Sequence, residues 1–190
     1  DHRRENPAVC LWGALDHDGR VYVYRELYQR GKDINQLARE IIELSGNEEY
    51  AYSIADVSIF ARTGFVDSWG AETIAESFAR NGIIFFPSSR RRVDGWALMH
   101  QYLNYDDRKI PKLLFFKNCI NSIRSIPTLI FDNKDAEDCD TRGDDHCADS
   151  IRYLIQSLHE ISSPKPKSEF EKKLDLMRNK QLNLNEFYYG

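Results

Sequence analysis

The chain has 190 residues, which suits one domain of ordinary size with a short appendage. Hydrophobic residues make up 42% of the sequence and aromatic residues 12%, so a generally disordered chain is excluded. The formal net charge of −4 excludes a surface that is basic all round but leaves room for a local basic patch. No apolar run approaches the length of a membrane span, so we expect no membrane partner.

The cysteines lack the paired spacing of a disulfide scaffold or a structural zinc site. They are Cys10, Cys119, Cys139 and Cys147, and we interpret them as reduced thiols of a cytosolic protein. The first residues, Asp1–Asn6, contain neither the apolar segment of a signal peptide nor an initiator methionine. We therefore expect the chain to be a fragment or a processed product.

The first part of the chain changes from strand-like to helix-like periodicity. Two β-rich runs on either side of Asp18-Gly19 predict a hairpin. From Ile34 to Leu44 the apolar residues recur at helical spacing. Asp33 is placed to cap this helix and Gly46 to end it.

The rest of the pattern predicts strands that alternate with helices. We expect buried or core strands at Tyr50–Ala55, Ile83–Phe86 and Leu113–Phe116, and helices at Ala71–Ala79, Val93–Leu103, Ile120–Ile126 and Asp144–Leu158. This order predicts an α/β fold with a mixed central sheet flanked by helices. The composition of residues 162–167 is typical of a linker, so we predict a domain over 1–160 and a linker with a C-terminal tail over 161–190.

Carboxylates carry the chemistry that the sequence indicates. Asp56 ends an apolar strand-like run, and Asp144, Asp145 and Asp149 open the final helix. Asp145 and Asp149 are four residues apart and share a helical face. Gathered carboxylates are hard oxygen ligands for Mg²⁺ or Mn²⁺, and the helix dipole favours the ionised form of acids at a helix start. The alternative is structural, with a turn residue at the strand end and capping residues at the helix start.

One segment resembles a known signature. Residues 144–153 read D-D-H-C-A-D-S-I-R-Y and resemble the D-D-H-x-x-D-x-x-R-Y motif that closes the nuclease domain of tailed-phage terminase large subunits. Four upstream segments follow in the family's order: Asn6–Val9, Gly19–Leu27, Ala55–Ile59 and Leu114–Cys119. The resemblance covers roughly residues 1–160.

This resemblance implies a ribonuclease H-like fold and an endonuclease that uses two divalent ions, Mg²⁺ or Mn²⁺, to cut concatemeric viral DNA. It implies that Asp1 is the first-strand aspartate and Asp56 the acid at the end of the fourth strand, with Asp145 and Asp149 on the final helix. These four are the predicted catalytic and metal-binding residues. Asp144 and His146 are secondary candidates. Because Asp1 is the first residue, we expect most of the first strand to lie outside this sequence.

The resemblance also implies partners. They are double-stranded DNA, the terminase small subunit, the portal protein and an ATPase motor domain of the same parent chain, in the cytoplasm of a bacterial host. The sequence has no G-x-x-x-x-G-K-[ST] motif, so we expect no ATP hydrolysis by this chain.

Two further segments bear on this interpretation. Arg90, Arg91 and Arg92 follow a predicted strand, and three arginines on one loop are suited to neutralise DNA phosphates near the acidic site, although a solvated loop is the alternative. We interpret the acidic run Asp132–Asp140 as a solvated loop because it lacks EF-hand spacing.

Two other functions stay open. One is a different ribonuclease H-like nuclease, of the resolvase or transposase type. The other is a non-catalytic docking domain whose acids bind no metal.

Overall fold

The computed structural model describes most of the first 162 residues. The described ranges are 6–62, 66–67, 70–105, 110–130, 132, 138–140 and 143–162. The chain divides into two compact units, Asp1–Leu158 and His159–Gly190. Asp1 and the tail from residue 163 onward lie outside the described residues, so the predictions made for them stay predictions.

Strands and helices are interspersed along the described chain. The strands are β1 (Ala8–Leu15), β2 (Val21–Gln29), β3 (Ile54–Ala55), β4 (Val66–Asp67), β5 (Gly70–Ala71), β6 (Phe86–Pro87) and β7 (Leu113–Phe115). The helices are α1 (Ile34–Ser45), α2 (Ile74–Arg80), α3 (Arg92–Leu103), α4 (Ile120–Ser125) and α5 (His146–Ser162). Single 3-10 turns occupy Val57–Phe60 and Ile126–Thr128. Within these residues no helix combines the length and apolar character needed to cross a membrane.

The main sheet is mixed. β1 pairs antiparallel with β2, and β2 pairs parallel with β7. The β1–β2 turn is held by Asp16, whose Oδ1 accepts hydrogen bonds from the backbone N–H groups of Asp18 (2.9 Å) and Arg20 (2.8 Å). Gly19 takes a positive φ of 76° in this turn, a conformation that favours glycine. The predicted hairpin is confirmed, as is the mixed α/β fold class.

Local capping explains why α1 begins and ends where it does. Asp33 Oδ1 accepts from the N–H of Gln36 (2.8 Å), and Gln36 Oε1 accepts from the N–H of Asp33 (3.0 Å), which is a capping box. Gly46 ends the helix with a φ of 57°. Both predicted ends of α1 are confirmed.

The core lies between the sheet and two helices. Side chains from β2, β7, α3 and α5 form one buried cluster, which includes Val23, Leu113, Met99 and Ile151. Helix α3 and helix α5 approach closely at Gly95, where a Cβ atom would lie 2.5 Å from Cγ of Arg152. The predicted helix at 93–103 and the predicted final helix are confirmed as α3 and α5, with shifted ends.

Two predicted strands differ from the observed ones in length or burial. The predicted strand at Tyr50–Ala55 is reduced to β3, Ile54–Ala55, which is only half-buried. The predicted core strand at Ile83–Phe86 is wrong, because the observed strand is β6 and the side chains of Ile84 and Phe86 are 68% and 57% exposed. An apolar run alone does not distinguish a core strand from an exposed segment, and β6 pairs with β3 over two residues only.

Candidate functional site

Helix α5 and the residue before it present three candidate side chains at four-residue intervals. Asp145 directly precedes the helix, and its carbonyl oxygen accepts from the N–H of Asp149 (2.8 Å) in the first turn. Tyr153 follows one turn later. The side chain of Asp145 is 9% exposed and that of Asp149 is 22% exposed. The predicted sharing of one face by Asp145 and Asp149 agrees with their common contact to Arg92.

Arg92, the first residue of α3, joins three carboxylates. Its Nη1 donates to both carboxylate oxygens of Asp149 (3.0 and 3.2 Å), and its Nη2 donates to Oδ2 of Asp145 (3.4 Å). Its Nε donates to Oδ1 of Asp138 (2.8 Å). The guanidinium also lies 5.1 Å from the ring centre of Trp96, whose Nε1 donates to the same oxygen of Asp138 (2.8 Å).

Arg152 supplies a second guanidinium, from α5 itself. It is buried, and its Nε and Nη2 donate to Oδ1 of Asp149 (3.1 and 3.0 Å). Its Nη1 donates to Oε1 of Gln156 (3.1 Å), and its guanidinium lies 4.5 Å from the ring centre of Tyr153. Asp149 is therefore fixed by two arginines from two different helices.

Asp56 reaches the same helix through a tyrosine. It follows β3 and caps the 3-10 turn, with its Oδ1 accepting from the N–H of Ser58 (2.7 Å). Its Oδ2 accepts a hydrogen bond from the hydroxyl of Tyr153. Burial would raise the pKa of Asp56, but the bonds from Ser58 and Tyr153 outweigh it, so the pKa is lowered. The structure thus connects Asp56 with the turn of α5 that follows Asp149.

The pKa of Asp145 is shifted in the opposite direction, upward. Burial and then the neighbouring charge of Asp149 raise its pKa, and these effects exceed the opposing influence of His146 and Arg92. Desolvation and like charge therefore dominate at Asp145, and its pKa lies above the ordinary value despite its place at a helix start. Burial would lower the pKa of Arg92, but its bonds to Asp138 and the charge of Asp149 raise it, so Arg92 keeps its charge.

The two secondary candidates, Asp144 and His146, differ in their partners. Asp144 accepts from the hydroxyl of Tyr28 (3.1 Å) and pairs with Nη2 of Arg124 (3.0 Å), on β2 and α4. His146 places Nδ1 4.0 Å from Oδ1 of Asp145. Asp144 is thus tied to the sheet and to α4.

The arginine triplet does not lie on one loop. Arg90 is exposed, and Arg91 is exposed with its Nε 2.8 Å from the carboxylate of Asp94. Arg92 belongs to α3 and is only 25% exposed, so the prediction of a three-arginine loop is wrong for this residue. Its partners lie 46 to 57 positions away in sequence, and no local pattern reveals them.

Asp138 belongs to the site although its sequence context did not indicate this. The interpretation of 132–140 as a solvated loop is wrong for Asp138, which binds Arg92 and Trp96, and for Asp140, which is buried. Burial would raise the pKa of Asp138, but the hydrogen bonds from Arg92, from the backbone N–H of Cys139 and from Trp96 lower it. An acidic, loop-like stretch gave no signal for this long-range pairing.

The site brings together two carboxylates, a type of donor that divalent cations use. Carboxylate oxygens are the ligands that Mg²⁺ and Mn²⁺ prefer, and Asp145 and Asp149 already converge on one cationic group. Across the ranges that the structure describes, no group of three or more His, Cys, Asp or Glu side chains is arranged to hold a metal ion. Asp1, the remaining predicted ligand, lies outside those ranges.

Comparison with known proteins gives matches among solved structures. No protein-family model and no curated protein matches the chain. A crystal form of the large terminase from a thermophilic bacteriophage matches with a TM-score of 0.63 and 17% identity, over 82% of this chain and 38% of that one. The chain has the fold of part of a large terminase. The same terminase in complex with ADP matches with a TM-score of 0.63 and 19% identity over 84% of this chain. The chain therefore spans little more than a third of the terminase that it resembles.

Proposed function

We propose that this chain is the nuclease domain of a terminase large subunit. It would be a divalent-metal-dependent endonuclease that cuts concatemeric viral DNA during genome packaging. One observation carries the proposal: in a chain with the fold of part of a phage large terminase, Asp145 and Asp149 of the D-D-H-x-x-D-like motif both contact the guanidinium of Arg92.

The acidic residues have distinct roles in this proposal. Asp145 and Asp149 would hold Mg²⁺ or Mn²⁺ from α5, Asp56 would contribute from the end of β3, and Asp1 would contribute from outside the described residues. When bound, two such ions supply charge stabilisation at the scissile phosphate and make a water more acidic. Tyr153 holds Asp56 in place, and Arg152 holds Asp149 in place.

The exposed Arg90 and Arg91 are suited to bind DNA phosphates beside the site. Such contacts position a duplex without reading its sequence, so targeting would come from partners. We propose that these are the terminase small subunit, the portal protein and an ATPase motor in the rest of the parent chain. The host cytoplasm is the corresponding location.

A plasmid assay tests the proposal. Supercoiled plasmid is incubated with the chain, and with a version extended upstream of Asp1, in Mn²⁺, in Mg²⁺ and in EDTA. The proposal predicts nicking and linearisation that need the metal and are lost in Asp56→Asn. The control, Glu43→Gln, changes an exposed carboxylate on α1 and is expected to cleave normally.

The opposing results are equally specific. Cleavage that persists in EDTA or in Asp56→Asn contradicts the proposed site. The absence of cleavage by both folded proteins contradicts the nuclease function and favours a docking domain. A strong preference for branched DNA over linear duplex favours a resolvase-type enzyme.

A further inference from the structure

Arg92 lies between two carboxylates at the start of α5, those of Asp145 and Asp149, and the carboxylate of Asp138. On one side its Nη1 and Nη2 contact Asp149 and Asp145, and on the other its Nε contacts Asp138. Its guanidinium also packs on Trp96. All three nitrogens are therefore used, in the forked geometry that suits guanidinium and carboxylate groups.

We propose that Arg92 is a positioning residue that acts as the built-in counter-cation of the site. In the absence of a divalent ion it holds the carboxylates of Asp145 and Asp149 together, and it leaves Asp145 when an ion binds. Asp138 and Trp96 then keep its guanidinium beside the site. This inference rests on the proposed function, because it concerns how that site is regulated.

The distances support release of Asp145 before Asp138. The contact of Arg92 with Asp145 is the longest of its ion pairs, at 3.4 Å, whereas its contact with Asp138 measures 2.8 Å. The longest of these contacts is thus the one to Asp145, which is more buried than Asp149. Breaking it leaves Arg92 bonded to Asp149 and Asp138.

Asp149 does not depend on Arg92 alone. Two hydrogen bonds from Arg152 hold its Oδ1 at 3.1 and 3.0 Å. The Asp149 carboxylate therefore stays oriented when Arg92 leaves Asp145. A divalent ion attracts the same two carboxylates more strongly than a single guanidinium charge does, which provides the driving force for exchange.

The consequence is a threshold for metal binding. Two neighbouring carboxylates without a cation repel each other, so Arg92 allows this part of the chain to fold before metal arrives. The same contact competes with the metal. Removing the guanidinium is therefore expected to weaken the metal-free fold and to strengthen metal binding.

Mn²⁺ affinity, measured by calorimetry on the full chain, tests this competition. A nearby opposite charge shifts the proton affinity of a carboxylate by one or more powers of ten. By analogy, since a metal ion and the guanidinium compete for the same oxygens, Arg92→Gln is expected to bind Mn²⁺ about tenfold more tightly than the wild type. Arg92→Lys keeps one charge without the fork and is expected to lie between them. Arg39→Gln removes an exposed guanidinium on α1, which bonds only locally to the carbonyl oxygen of Asn35, and this matched control is expected to bind as the wild type does.

A second measurement uses the wild-type protein and needs no stable variant. The ¹⁵N signal of the Arg92 Nε–H group, assigned by its absence in Arg92→Lys, is followed during titration with Mg²⁺. The proposal predicts a shift whose midpoint matches the calorimetric affinity. An unmoved signal, or equal or weaker Mn²⁺ binding by Arg92→Gln while cleavage persists, overturns the role of Arg92 alone. If no variant binds a divalent ion and none cleaves DNA, the proposed function fails and this inference fails with it.

Discussion

The hydroxyl of Tyr153 donates a hydrogen bond to the carboxylate of Asp56, across 97 positions of the sequence. This bond connects the end of β3 with α5, one turn beyond Asp149. Through it, and through the bonds of Arg152 to Asp149, the acids from two elements are held by side chains of a single helix. The geometry of the site therefore depends on residues that are themselves not acidic.

Removing the Tyr153 hydroxyl tests this dependence. Tyr153→Phe deletes a bond to a charged group, which typically costs about 1.5–3 kcal/mol. Because that bond lowers the pKa of Asp56, its loss is expected to move the acid limb of the cleavage pH profile to higher pH. Tyr50→Phe is the matched control, since Tyr50 donates to the exposed Glu48 away from α5. An unchanged acid limb in Tyr153→Phe would argue against the coupling.

Asp145→Asn is expected to have opposite effects on activity and stability. Loss of a ligand should lower metal-dependent cleavage by at least about 100-fold, beyond the range typical of losing a supporting group. In EDTA the variant is expected to melt at a higher temperature than the wild type near pH 7. The reason is that the charged form of Asp145 is disfavoured by burial and by Asp149.

The pH dependence of that stability difference follows from the raised pKa. A carboxyl group whose folded pKa is raised contributes stability below its unfolded pKa and loses it as the pH rises through the folded value. The advantage of Asp145→Asn should therefore vanish at low pH, where the wild type is also neutral. Thermal melts in EDTA across the pH range check this, and a variant that is less stable at pH 7 contradicts it.

The contribution of Asp56 to stability is expected to depend on pH in the opposite sense to that of Asp145. Its pKa is lowered from the ordinary value of 3.8, so its contribution to stability is present above that value and is lost as the pH falls through the folded pKa. Asp56→Asn should be less stable than the wild type near neutral pH, with the difference shrinking in acid. The same series of melts measures both variants, and parallel behaviour of Asp56→Asn and Asp145→Asn would be inconsistent with their opposite surroundings.

Gly95→Ala tests the contact between α3 and α5. A Cβ atom there would lie 2.5 Å from Cγ of Arg152 and 2.6 Å from Cδ of Gln156, so the helices must separate or the side chains must move. Overpacking of this kind costs about 1–3 kcal/mol, measured as a loss in the free energy of unfolding. Gly143→Ala is the control, because its nearest neighbour would be the carbonyl oxygen of Asp140 at an ordinary 3.9 Å. Equal stability of the two variants would contradict close packing at Gly95.

Local patterns predicted the elements whose signals are local. The hairpin, both ends of α1 and the existence of α3 and α5 follow from turn residues, caps and periodicity within a few positions. The strand predicted at Ile83–Phe86 failed because burial depends on what covers a strand, and Ile84 has no such cover in the described fold. The short pairs β3–β6 and β4–β5 each join two residues, too few to leave a pattern.

The candidate site was predictable only where its residues are close together in sequence. The shared helical face of Asp145 and Asp149 follows from their spacing, but the roles of Arg92 and Asp138 do not. Both residues reach the site through contacts between distant segments. Asp144 was predicted only as a secondary candidate, and spacing gave no sign of its contacts with Tyr28 and Arg124.

The most direct test of the central claim compares two acids at the start of one helix. Metal-dependent nicking of supercoiled plasmid is measured for Asp149→Asn and Asp144→Asn, each matched to the wild type in Mn²⁺. Asp149 contacts Arg92, whereas Asp144 contacts Tyr28 and Arg124. We predict that Asp149→Asn loses at least about 100-fold in rate while Asp144→Asn cleaves as the wild type does. Normal cleavage by Asp149→Asn, or loss of cleavage in Asp144→Asn alone, would contradict the assignment of the site.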